Sequence, residues 1–450
     1  MLFMKTVATL FLAITTTFVI SDATVIAAEA SPLQISGSYR LRAEVLDNPY
    51  RANTSGSDQI LASRLLLSAR WSGDNLFSEL EIQDSRTWLD DAGTPLGTDD
   101  VNTLEPLQAY VGWRQSDREN HSFALKAGRM TLDIGSRRLI GRNGFRNTSN
   151  AFTGLHGDWR ADNWRLQPLY LLPLHRQPTA RKELDANKHA WDREYSGIRL
   201  WGLHGTRSGQ AGLPNVEGYF FTLDEEDSRH QASSNRNIDT LGVRVFKPAA
   251  PGQWDYEWEG AVQRGQSRSS AAATDMRDLD HRAAFMHAQI GYQFRDEWSS
   301  RLILLIDYAS GDETPTDSEN NRFDTLYGPR RGDFGPTSIY GAFGRSNILS
   351  PGATWEFQRR GYTGAIAYRA VWLADKRDAF TTGGLRDVTG ATDDFLGQQL
   401  EARLRFNVFT NTQIELGSAY LHKGDFLQNA PNAPANGNTL YWYSHMMYQF

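Results

Sequence analysis

The chain of 450 residues contains no cysteine, so it has neither a disulfide framework nor a thiolate to bind metal or attack a substrate. After Ile20 it also lacks any run of about 18 apolar residues, which excludes a second membrane-spanning helix. The hydrolase patterns Gly-x-Ser-x-Gly and His-Glu-x-x-His are both missing, and His156, His287 and His445 read as wet-face residues without a plausible serine partner. Glu257 and Glu259 lie two apart on one face and read as a hydrated wall rather than an acid–base pair. No enzyme, cofactor, metal site or nucleic-acid partner is expected. The acidic loop clusters match no ordered calcium loop. The formal charge is −6 and the mean hydropathy −0.52. A polar average is compatible with a membrane barrel, which needs apolar residues only at alternate positions.

What is present begins with a secretory signal. Lys5 precedes an apolar and small-residue stretch from Thr6 to Ile20, and small residues follow at 27–30. We therefore expect residues 1–30 to be a signal peptide cleaved near 27–30, and residues 31–450 to form one unit beyond the inner membrane.

That unit has a period of two almost throughout. In the first segment Leu33, Ile35, Gly37, Tyr39, Leu41, Ala43 and Val45 alternate with Gln34, Ser36, Ser38, Arg40, Arg42 and Glu44. The same alternation recurs around Leu65–Trp71, Leu107–Trp113, Trp254–Val262, Ala284–Phe294, Leu302–Tyr308 and Leu400–Val408. Connections alternate between short turns and long polar loops, and counting them gives about 18 strands. Trp71, Trp113, Trp159, Trp164, Trp254 and Trp298 all sit beside short turns, as in an aromatic girdle. The chain ends in an alternating aromatic segment closed by Phe450, resembling the signal read by the outer-membrane assembly machinery. The expected fold is all-β: a single transmembrane antiparallel barrel of about 18 strands, with short periplasmic turns and long extracellular loops. Its outer face would meet outer-membrane lipid and lipopolysaccharide.

The wet face is rich in arginine: Arg40, Arg42, Arg64, Arg70, Arg114, Arg165, Arg199, Arg244, Arg301, Arg369, Arg403 and Arg405. Acidic residues gather in the long loops instead, as at Asp90-Asp91 and Asp99-Asp100. A guanidinium donates two parallel hydrogen bonds to a carboxylate and never loses its charge, and cationic rings in a pore favour anions. Glu79, Glu81, Glu259, Asp307 and Glu415 are available as wall partners for the same arginines. The segment Gly128–Asn147 mixes Arg129, Arg137, Arg138, Arg142 and Arg146 with glycine and apolar residues, which suits a loop folded into the lumen. Arg40, Arg42, Arg64, Arg129, Arg138, Arg142, Arg244, Arg369, Arg403 and Arg405 are the candidate lumen residues for substrate.

Four stretches, in this order, resemble the alginate export family. They are Tyr39–Glu44, Gly128-Arg129 through Arg138–Gly141 with Phe152-Thr153-Gly154, Asp307–Asp312, and Gly424-Asp425-Phe426. The resemblance implies an 18-stranded monomeric barrel, an arginine constriction for uronate carboxylates, an inward extracellular loop and a periplasmic gate. By analogy, Arg40 with Arg42 and Arg403 with Arg405 look like constriction residues. An anionic polysaccharide is the implied substrate, with a periplasmic polymer-export complex as a further partner. The alternative is a general or anion-selective porin that takes up small solutes or oligosaccharides through the same wall.

Overall fold

The computed structural model describes residues 31–118, 121–210, 212–227 and 232–450. The expected signal peptide, 1–30, lies outside the described residues. No helix among them is long and apolar enough to cross a membrane, and the chain instead forms strands. These are β1 Leu33–Asp47, β2 Ser57–Ser72, β3 Leu76–Trp88, β4 Asn102–Arg118, β5 His121–Met130, β6 Phe152–Ala161, β7 Trp164–Pro173, β8 Ile198–Arg207, β9 Asn215–Glu225 and β10 Asn237–Lys247. They continue as β11 Gln253–Ser267, β12 Leu279–Gln293, β13 Arg301–Ala309, the two-residue β14 Glu319–Asn320, β15 Ile348–Arg359, β16 Tyr362–Trp372, β17 Phe395–Phe409, β18 Thr412–Lys423 and β19 Thr439–Gln449.

Apart from β14, each strand pairs antiparallel with its neighbours in sequence, and β1 pairs with β19 to close a barrel of eighteen strands. The closing seam is completed by Phe450, whose carbonyl accepts the Gly37 N–H at 2.8 Å and whose N–H donates back to Gly37 at 3.1 Å. Closure leaves no unpaired edge, the one way a sheet can stand in hydrocarbon. Long connections and short turns alternate around the ring, so all long loops emerge at one end.

Alternation along the strands decides which face each side chain meets. The six tryptophans beside the short turns are 39% to 59% exposed and point outward. On β1 the opposite parity, Arg40, Arg42 and Glu44, is buried inside. Arg199, expected on the wet face, shares instead the outward parity of Trp201 and Leu203 and pairs with Glu226 at 3.3 Å. The reason lies in the loops. At their end of the barrel the lumen is packed rather than hydrated, so the apolar residues Ile198 and Leu200 turn inward.

This interior packing is the barrel's core. Two long loops fold into the lumen. From the loop 131–151, Leu132, Ile134, Leu139, Ile140 and Phe145 are buried. From the loop 310–347, Phe323, Phe334, Tyr340 and Phe343 are buried, and Tyr340 stacks on Tyr441 of β19 at 5.1 Å. A one-turn helix, Arg331–Phe334, lies within this second loop.

Candidate functional site: an arginine-lined lumen divided by two loops

The loop 131–151 is held by the first two strands. Arg40 donates to the carbonyls of Gly144 at 3.0 Å and Arg146 at 2.9 Å, and to the Asn147 side chain at 3.2 Å. Arg64, directly opposite Arg40 in the β1–β2 register, donates to the same two carbonyls, each at 3.0 Å. Arg42 donates to Glu44 at 2.6 Å and to the Phe145 carbonyl, and its guanidinium lies 4.5 Å above the Phe145 ring. These three arginines are thus buried and occupied in holding the loop.

The second loop locks onto the first. Tyr327 N–H donates to the Leu139 carbonyl at 2.9 Å, and Arg345 donates to the Arg138 carbonyl at 2.8 Å. Arg138 pairs with Asp333 at 3.1 Å and with Glu257 and Glu259 on β11, while Arg345 also reaches Asp333. Burial alone would push the Asp333 carboxyl up; Arg138 and then Arg345 more than offset it and hold it well below the usual carboxylate range. Gly328 makes the close approach possible, since a Cβ there would stand 1.7 Å from the Arg138 carbonyl oxygen.

The interlocked loops separate two hollows. The upper one, 330 Å³, is lined by Arg146, Arg176, Arg330 and Arg345 together with Asn150 and Thr382. Burial, and next to it Arg146, brings Arg330 down to about 10, and its Nε has no hydrogen-bond partner. The lower one, 430 Å³, lies between the underside of the loops and β12 to β17. Its lining includes six arginines, Arg137, Arg142, Arg301, Arg331, Arg369 and Arg403, against three carboxylates, Asp333, Glu356 and Glu401. Arg301, Glu356, Ala365 and Arg403 stand in one register row across four neighbouring strands.

Of the ten expected lumen residues, Arg142, Arg369 and Arg403 line this lower hollow. Arg142 also pairs with Glu81 at 2.8 Å, and Arg369 with Asp307 at 2.8 Å. Arg403 makes no hydrogen bond or ion pair among the described residues. The others are braced within the wall or the loops. Arg129 pairs with Glu105 and Glu194, Arg244 with Glu217 and Glu257, and Arg405 with Glu415. Sequence reasoning placed Arg301 on the wet face and Arg137 in the inward loop without choosing them as substrate residues, and it did not name Arg331. For Arg331 a signal existed: Gly328-Pro329-Arg330-Arg331-Gly332 repeats the glycine–arginine mix of the first inward loop.

A closed barrel with an aromatic girdle and a polar interior defines an outer-membrane channel. More particularly, the chain belongs to the Alginate export family, whose profile matches residues 31–440. No curated protein matches it. Among solved structures it is similar to Acinetobacter baumannii OccAB2, with a TM-score of 0.58 at 13% identity over 94% of this chain and 99% of that one. Pseudomonas aeruginosa OccK9 (OpdG) gives 0.58 at 12% identity, over 93% of this chain and 98% of that one. Pseudomonas aeruginosa OccK2 (OpdF), solved in complex with glucuronate, gives 0.56 at 13% identity over 92% and 98%. At such identities the likeness is one of fold.

Proposed function

We propose that the channel passes an anionic polysaccharide of the alginate type, its uronate carboxylates exchanging between lumen arginines. The lower hollow carries this reading: its lining is rich in arginine, and the charge of one of those arginines is left unmatched. Arg403 is the clearest contributor, because nothing in the wall neutralises it. Apolar walls around water focus the resulting field, and each carboxylate contact stays weak enough to release. Arg142 and Arg369 line the same space with their charge met by Glu81 and Asp307, whereas Arg40, Arg42 and Arg64 act by holding the loop that shapes it. Passage of a polymer requires the two loops to part, because they stand between the upper and lower hollows.

A second reading has its own support. Each hollow, at 330 and 430 Å³, has room for a sugar or two rather than a chain, and a protein of the same fold was solved with the monosaccharide glucuronate. On this reading the channel takes up small uronates or other anions. Planar-bilayer conductance separates the two. Polymannuronate is expected to block at a concentration at which monomeric mannuronate does not, and Arg403→Ser with Arg405→Ser is expected to relieve the block. If the monomer blocks as well as the polymer, the small-solute reading stands instead. If uncharged oligosaccharides block equally and the double substitution changes nothing, both anionic readings fail.

A further inference from the structure

The outward face of β10, β11 and β12 carries a facing pair of arginines, unrelated to the lumen and set among the carboxylates of Asp239, Asp280 and Glu319. On β11 the outward residues run Trp254, Tyr256, Trp258, Gly260 and Val262, and the next is Arg264. On β12 they run Tyr292, Ile290, Ala288, Met286 and Ala284, and the next is Arg282. Register places Arg264 and Arg282 directly opposite one another, both exposed. From Trp254 to Arg264, and equally from Tyr292 to Arg282, is ten residues of strand. At about 3.4 Å per residue and a tilt of about 40° this is roughly 26 Å along the membrane normal. The apolar band of such barrels is about 25 Å tall. The two arginines therefore stand where acyl chains end and headgroups begin, in the leaflet on the loop side.

Like charges directly opposite on a sheet face are destabilising unless something bridges them. The protein supplies no bridge. Asp239 is the register partner of Arg264 on the other side, yet its carboxylate accepts the Thr222 hydroxyl at 2.6 Å and forms no ion pair. Glu319 of β14 reaches only Arg282, at 3.3 Å, and Asp280, the next outward residue of β12, forms no ion pair with either arginine. Arg264 has no hydrogen bond or ion pair among the described residues. We infer that Arg264 and Arg282 form a binding site for a lipid A phosphate of the outer leaflet. The phosphate seats between the two guanidinium forks, and the acyl chains lie on Leu241, Val262 and Ala284 below. The inference rests on the outer-membrane barrel and is independent of the solute in the lumen.

The test is native mass spectrometry of the purified protein in detergent with bis-phosphorylated lipid A, the same lipid A dephosphorylated, and phosphatidylglycerol. A basic side chain near a lipid surface contributes about fivefold in affinity, so Arg264→Gln with Arg282→Gln is expected to weaken lipid A retention about thirtyfold. Dephosphorylated lipid A should bind the unsubstituted protein as weakly as lipid A binds the double variant. Heat-modifiable gel migration reports folding, and each single variant, with an expected fivefold loss, serves if the pair fails to fold. Equal retention of lipid A by the double variant overturns the proposal. So does equal binding of phosphatidylglycerol, or of the dephosphorylated lipid.

Discussion

Removing Arg40 and Arg64 together should release the loop 131–151 from the barrel wall, whereas removing either alone should not. The two arginines serve the same carbonyls, those of Gly144 and Arg146. In Arg64→Ala both carbonyls keep Arg40 as donor, and a repulsive cross-strand pair is relieved. A loss of about 1 kcal/mol is the most this leaves. In the double variant both carbonyls and the Asn147 side chain lose their charged donors at once. Hydrogen bonds to charged groups contribute about 1.5–3 kcal/mol each. Counting one effective bond per acceptor, three acceptors give about 4.5–9 kcal/mol. About 5.5 kcal/mol is enough to turn a 99:1 equilibrium into 1:99, so the double variant should cross from docked to undocked while the singles stay docked.

Two measurements read this. Single-channel conductance should rise severalfold in the double variant and little in either single. The natural chain has no cysteine, so Gly144→Cys gives a label without background, and a Cβ at position 144 meets nothing within 4 Å. Its reaction with a bulky thiol reagent should be slow in the parent and in the singles and fast in the double. The interaction between the two substitutions should be large and positive in a double-mutant cycle. If Arg64→Ala alone opens the channel as far as the pair, the shared-carbonyl reasoning is wrong. If the pair changes neither readout, the arginines do not hold the loop.

Three further outcomes follow from the same loops. Gly328→Ala would drive a Cβ into the Arg138 carbonyl, so the loops must separate; longer open events in bilayer recordings and faster proteolysis within 310–347 are expected, and unchanged records would refute the close approach. Asp333→Asn leaves Arg138 and Arg345 without their shared carboxylate, at a cost of about 3 kcal/mol or more, measurable as a lower temperature of loop proteolysis. The third outcome concerns pH. Asp100, whose carboxyl accepts the Ser338 hydroxyl of the second loop at 3.3 Å, is pushed up to about 7 by burial and then by Asp99 and Glu44. A raised carboxyl pKa means the docked state holds the extra proton, so docking is firmest below about pH 4 and weakens as pH rises through about 7. Gating events should therefore become more frequent between pH 5 and pH 8, and Asp100→Asn should flatten part of that rise; a pH-independent record would refute it.

Much of this architecture was legible in the sequence because a membrane barrel writes its geometry in a period of two. The outward parity of Ile35, Tyr39 and Leu41 and the alternation of long and short connections needed no tertiary information. The inward fold of 131–151 was legible too, since apolar residues such as Ile134, Leu139 and Ile140 amid arginines need a dry place. The loop 310–347 has the same grammar at Tyr327–Phe334, but it opens on Asp312-Glu313, one of the acidic clusters that gather in the long loops. Arg199 was misread because alternation gives two faces without saying which one is dry. Where loops fill the lumen, the apolar parity turns inward and the charged one outward.

What alternation alone cannot give is register, and register decides which arginines keep their field. Arg405 stands opposite Glu415, Arg244 opposite Glu217 and Arg301 opposite Glu356, and each of these pairs is closed. A closed pair presents little net charge to a passing solute. Arg403 stands opposite Gly417 on one side and Ala365 on the other, and neither can neutralise it. Arg403 thus stays unpaired because small residues flank it; the Tyr443 ring covers Gly417, and Ala365 leaves the hollow open on the other side. This gives a direct check within one strand pair. Ala365→Glu would place a carboxylate opposite Arg403 within the hollow and should lower anion selectivity about as far as Arg403→Ser does, while leaving the arginine in place. Selectivity unchanged in Ala365→Glu but lost in Arg403→Ser would mean that the side chain acts by its shape and hydrogen bonds rather than by its charge.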